Sequence, residues 1–192
     1  MVVHQDNLDP MNPISGDVAL KFCELSDWAQ ECWLTHRTLF DDNDRAKRTI
    51  GKATHFTARL SVITREYTLL QICKLHDPAI QKNSLNITID YIARFGDWGP
   101  DAEKVHEIVS RLSALFEKLK SARNKLLAHN DLEALMGSAT LGAFPKGLDD
   151  QYFSVLQELV DVVYAKWFDG PYPFNDLACA DVDEFLSILE KA

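Results

Sequence analysis

One stretch constrains this chain more than any other. Val105, Ile108, Val109, Leu112, Leu115, Phe116, Leu119 and Leu126 recur at i, i+3, i+4 and i+7. That is the period of a helix with a single apolar face. Pro100 suits the first turn of that helix, where its missing N–H leaves nothing unsatisfied. The spacing predicts a helix over about 100–130. Its apolar stripe breaks at Ala122-Arg123-Asn124, and His129 follows within seven positions.

Other segments repeat the helical period. Val18, Phe22, Leu25, Trp28, Ala29, Cys32, Trp33 and Leu39 predict a helix over about 17–41, with Ser15 or Asp17 as its cap. A second helix is expected over about 44–75, stopped by Asp77-Pro78 because a residue before proline is pushed out of the helical region. Ser84 is expected to cap a third over 84–95. Its β-branched content also suits a strand, but no partner strand offers itself. The glycines and proline of 131–148 read as a surface loop. A fifth helix is expected over about 149–169, with Asp149 and Asp150 as caps. Asp181 and Glu184 resemble a capping box opening a last helix over about 182–191. Five or six helices and no confident strand predict an all-α, antiparallel, up-and-down bundle. Residues 1–15 read as a flexible arm and 16–192 as one helical domain, with its core at about 17–169 and an extension at about 171–192.

Composition narrows the function classes. The formal net charge of −9 disfavours broad non-specific duplex binding, which rests on many phosphate contacts. Cys23, Cys32, Cys73 and Cys179 show neither CxxC nor zinc-finger spacing, so buried reduced thiols are expected and no metal or cofactor. No apolar run approaches the ~20 residues of a membrane span. Met1–Pro13 has no apolar signal region, so a reducing cytoplasm is the expected compartment. Trp28, Trp33, Trp98 and Trp167 read as core or interface anchors.

The Arg123–His129 stretch has two readings. In the bland one, Lys118, Lys120, Arg123, Lys125 and His129 complement the negative end of the helix dipole. In the sharper one, a guanidinium grips phosphate in a planar fork, an amide orients its neighbours, and a neutral imidazole accepts a proton near neutral pH. These are the groups that metal-free RNA cleavage needs. Six helical positions separate Arg123 from His129 by about 9 Å of rise and about 120° of rotation. One copy is an awkward site. Two copies about a two-fold axis bring both pairs to one cleft, so a homodimer with a composite site is expected. Lys120, Lys125 and Asp131 are candidate substrate-binding residues, although solvated helix-face lysines and a helix-ending aspartate are the commoner explanation. His36, Arg37, Arg65 and Glu66 are further residues able to face the same cleft, or to make polar contacts between packed helices.

Arg123-Asn124, four residues and His129, late in a long helix, resemble the Arg-x(4–6)-His signature of HEPN domains. Trp33-Leu34-Thr35-His36, Leu75-His76-Asp77-Pro78-Ala79 and Asn83-Ser84-Leu85 extend the likeness to the AbiU-like, abortive-infection branch over roughly 17–169. The resemblance implies a bundle that dimerises through its motif helices. It also implies a metal-independent endoribonuclease of phage-defence or toxin–antitoxin systems, leaving a 2′,3′-cyclic phosphate. Arg123 would then stabilise phosphate, His129 act as acid and base, and Asn124 orient them, with RNA as substrate and an antitoxin as possible protein partner. Other members of the superfamily are non-catalytic nucleotide-binding or protein-docking modules, which is the alternative expectation.

Overall fold

The computed structural model describes residues 14–40, 47–48, 53–82, 84–127 and 147–191, with side chains 120–127 outside the description. Six α-helices appear among the described residues. They are α1 (Gly16–Phe40), α2 (Thr54–Leu75), α3 (Ile89–Phe95), α4 (Ala102–Leu127), α5 (Leu148–Trp167) and α6 (Leu177–Lys191). A two-residue antiparallel ladder, β1 (Ile80–Gln81) with β2 (Ser84–Leu85), turns the chain between α2 and α3. The protein is all-α, as its periodicity predicts.

Local chemistry sets the ends. Ser15 caps α1, its hydroxyl accepting from the Val18 N–H at 3.3 Å. Ile14, in the expected arm, is buried in the core. Thr88 caps α3 by accepting from the Tyr91 N–H at 3.2 Å. The cap of the third helix therefore lies four residues later than Ser84, which belongs to the ladder. Asp90 closes that turn by accepting from the Ala79 N–H at 2.9 Å. Trp98 folds back so that its indole N–H donates to Ile92 O at 3.0 Å. A single 3₁₀ turn, Gly99–Asp101, carrying Pro100, then opens α4.

Two further expectations are corrected. Asp149 and Asp150 do not cap α5. Gly147 occupies the cap position with φ 76, and both aspartates lie in the first turn, where they complement the positive helix end and reach across to α1. The last helix starts at Leu177, whose N–H is accepted by Asn175 Oδ1 at 3.0 Å. Asp181 thus sits inside it.

Packing follows the stripes. On α4, Val105, Ile108, Leu112, Phe116 and Leu119 are buried. They meet Tyr152, Phe153, Leu156, Leu159, Val160 and Val163 of α5 in one core that also holds Phe22, Ala29 and Trp33 of α1. Burying a leucine of this kind contributes about 2 kcal/mol. The Gln157 amide of α5 donates to Gln30 Oε1 of α1 at 3.0 Å, while Trp33 reaches Asp149 and Arg37 reaches Asp150. Cys23, Gln30 and Trp33 of α1 meet Val160, Gln157 and Asp149 of α5 in turn, so the pair is antiparallel. Between α4 and α5, Arg111 grips Glu158 with two bonds of 2.7 and 3.0 Å.

Helix α6 stands apart. It packs on α1 through a satellite cluster of Leu39, Val182 and Leu186. The segment leading to it is tied down by Tyr172, whose N–H donates to Asp161 Oδ1 at 3.1 Å and whose hydroxyl donates to Asp27 Oδ2 at 3.2 Å.

Candidate functional site

Helix α4 continues unbroken through Leu127, so Arg123 and Asn124 are consecutive helical residues near its C-terminal end. Lys120 and Lys125 occupy the same helix. The side chains of Lys120, Arg123, Asn124 and Lys125 lie outside the described residues, as do His129 and Asp131 entirely. What the backbone fixes is register. Arg123 comes seven positions after Phe116 and eleven after Leu112, each about 20° from whole turns. It therefore continues the row that Leu112 and Phe116 begin, in line with the apolar stripe.

Register also places the motif along the bundle. Arg111 sits opposite Glu158, and α5 begins ten residues before Glu158. Ten residues along α4 from Arg111 reach the turn just before Arg123, about 15 Å away. The motif turn thus stands level with the start of α5. Around that start the sequence places several polar groups. Trp33 Nε1 donates to Asp149 Oδ2 at 3.1 Å, and the Trp33 ring stacks on Phe153 at 4.5 Å. Arg37 pairs with Asp150, and its guanidinium lies 5.1 Å from the Trp33 ring centroid.

His36 is the next residue of this cluster. Its Nδ1 is 2.8 Å from the Thr64 hydroxyl. The same hydroxyl lies 3.0 Å from Leu60 O. Burial, then the charge of Arg65, pushes this imidazole down to about 4, and Asp149 opposes the shift. Arg65 itself keeps a buried Nε without a hydrogen-bond acceptor among the described residues.

A second histidine lies deeper. His76 stacks on Phe116, and its Nε2 is 3.0 Å from the Tyr152 hydroxyl. Burial pushes it down to about 4 and pushes the Tyr152 phenol far above its ordinary range. A cleft of about 310 Å³ opens beside it, lined by Asp77, Pro78, Ser113 and Glu117 among others. Both imidazoles are therefore neutral at physiological pH. A base this weak transfers protons poorly near neutrality, so His36 and His76 suit the role of hydrogen-bonding framework.

No cluster of three or more metal-ligating side chains exists among the described residues, and no described helix is long and apolar enough to cross a membrane. The thiols of Cys23 and Cys32 are pushed up by burial, to about 12 and about 11, and all four cysteines are free.

Comparison with known families decides the relationship. The family model HEPN_AbiU2, described as AbiU2, matches residues 19–185. The chain belongs to the AbiU2 family of HEPN domains. The match spans four of the six helices completely, takes in most of α1 and α6, and runs across both ends of the Arg123–His129 stretch. Searches of curated proteins and of solved structures return no match. In this HEPN domain a groove runs between α1, α2 and α6. It has a volume of about 610 Å³, and nothing in the sequence periodicity pointed to it.

Proposed function

We propose that this HEPN domain is a metal-independent endoribonuclease of a phage-defence or toxin–antitoxin type system. It acts as a homodimer in which Arg123, Asn124 and His129 from two copies share one cleft. The observation that carries this reading is the family match running across the motif, on a helix that holds Arg123 and Asn124 in one continuous turn.

The chemistry follows from the residue types. Neutral His129 takes the proton from a ribose 2′-OH. The freed oxygen attacks the adjacent phosphorus, the bond to the 5′-oxygen breaks, and a proton returns to that leaving oxygen. Arg123 holds the phosphate oxygens in its planar fork as charge accumulates. Asn124 keeps the two in orientation. Lys120 and Lys125 add positive charge along the strand, and Asp131 borders the site. The products are a 2′,3′-cyclic phosphate and a 5′-hydroxyl.

Incubating purified protein with a mixed-sequence RNA in excess EDTA tests this reading. Wild type should cleave, and Arg123→Ala and His129→Ala should each slow cleavage about 10²–10⁴-fold with unchanged circular dichroism and dimer elution. Equal cleavage by wild type and both variants, or cleavage only with added divalent cation, would overturn it.

A further inference from the structure

The groove between α1, α2 and α6 is apolar on its walls and acidic at its rim. Trp28 of α1, Tyr67 of α2, and Leu177 and Phe185 of α6 stand 47%, 43%, 60% and 44% exposed along it. Its rim carries Glu31 and Asp181. Neither carboxylate has a cationic partner among the described residues, and no lysine or arginine lines the groove. The Glu31 carboxyl is pushed above its usual range by burial and by the charges of Asp27 and Asp181. Among the described residues, negative charge is thus concentrated there and left unanswered.

The apolar surface continues past the cavity, to Leu25 on α1, to Ile63 and Leu70 on α2, and to Ile188 on α6. From Trp28 to Leu39 the α1 wall runs about 16 Å, the length of about three helical turns. That is more than a small ligand spans. A second copy of this chain fits poorly, because pairing the groove with itself opposes Glu31 and Asp181 to their twins in a molecule of net charge −9.

We propose that this groove docks an amphipathic helix of a partner protein, about three turns long. The helix lays aliphatic side chains between Trp28, Tyr67 and Phe185 and sets lysines or arginines against Glu31 and Asp181. Helix-in-groove recognition uses anchors at i, i+3 or i+4, and i+7, and the cation supplies what the rim lacks. The inference is independent of whether Arg123 and His129 cleave RNA.

The test uses two labelled synthetic helices of about 14 residues with the same leucine face, one flanked by lysines and one by glutamates. Fluorescence anisotropy with the full chain should show saturable binding of the basic peptide, about fivefold or more tighter than the acidic one. Trp28 emission should shift to the blue, and Trp28→Phe should remove the shift. Phe185→Asp should abolish binding, and Tyr67→Ala on the opposite wall should weaken it. Glu31→Gln with Asp181→Asn should erase the preference between peptides while retaining binding. Equal binding of both peptides by wild type would overturn the proposal. So would binding of a small apolar dye with no peptide binding, or a homodimer that Phe185→Asp dissociates.

Discussion

The imidazole of His76 lies flat on the ring of Phe116, their centroids 4.0 Å apart and their planes 1° from parallel. The stack joins the Leu75-His76-Asp77-Pro78 helix end to the row on α4 that leads to Arg123. It keeps His76 neutral, because the ring has little water around it and its Nε2 faces Tyr152 at 3.0 Å.

That neutrality has a pH consequence. His76 titrates at about 4 in the fold, against about 6.5 in an unfolded chain. The unfolded state therefore binds the proton first. The stability is fully present above about pH 6.5 and is lost as pH falls toward 4, about 2 kcal/mol at pH 5. His36 acts in the same direction. The raised carboxyls of Asp27 and Glu31 act oppositely, since acid relieves them. Urea melts of wild type and His76→Gln at pH 7.5 and 5.0 isolate the contribution. Wild type should lose about 2 kcal/mol more than the variant, and parallel losses would contradict it.

Gly96 is required by a close approach. A Cβ there would meet Trp98 Nε1 at 2.3 Å and Ile92 O at 2.8 Å, where the indole hydrogen bond is made. Gly96→Ala should cost about 2 kcal/mol by forcing Trp98 out of place. Gly99, at φ 48 with open space around it, should cost only about 1 kcal/mol on the same change. Chemical denaturation that ranks Gly99→Ala as the worse variant would contradict this.

Thr88 is 2% exposed and holds the first turn of α3. Thr88→Ala should destabilise by about 1 kcal/mol, and Thr88→Ser should retain most of the cap. Melting midpoints of the three proteins give the comparison, and equal losses for alanine and serine would assign the effect to the methyl group.

A composite site makes a prediction about mixed dimers. Arg123→Ala and His129→Ala proteins, each inactive, should regain activity when unfolded together and refolded. Half of random dimers are mixed and each mixed dimer holds one full set, so about a quarter of wild-type rate is expected. No recovery despite verified exchange of subunits would mean that Arg123 and His129 of the same copy act together, and would overturn the composite site.

Much of the fold was legible because three helices bury a stripe whose period shows directly in sequence. The helices of Phe22 and Trp33, of Leu112 and Phe116, and of Leu156 and Val163 lie within a few residues of their expected bounds. The segment 80–95 was not legible. A two-residue ladder is too short to leave a period, and the real cap, Thr88, lies four residues past the more obvious Ser84. Asp181 misled for a related reason, since an acid three residues before another suits a helix interior as well as its start. The groove was invisible because Trp28, Tyr67 and Phe185 come from three separate helices, and each alone looks like an ordinary apolar residue. Of the candidate site, the sequence supplied its residues and the structure its register: Arg123 continues the Phe116 row, while His129 and Asp131 lie outside the described residues.

The satellite cluster of Leu39, Val182 and Leu186 gives α6 an economy of its own. Leu39, Val182 and Leu186 are kept separate from the principal core, with Phe40 against them and the Thr38 hydroxyl 3.5 Å from Cys179 Sγ, so α6 is expected to open while α4 and α5 stay whole. Amide hydrogens along 177–191 should then exchange with deuterium well before those of 148–167. Whatever settles beside Phe185 would slow that exchange in α6 first, making the helix a reporter of occupancy.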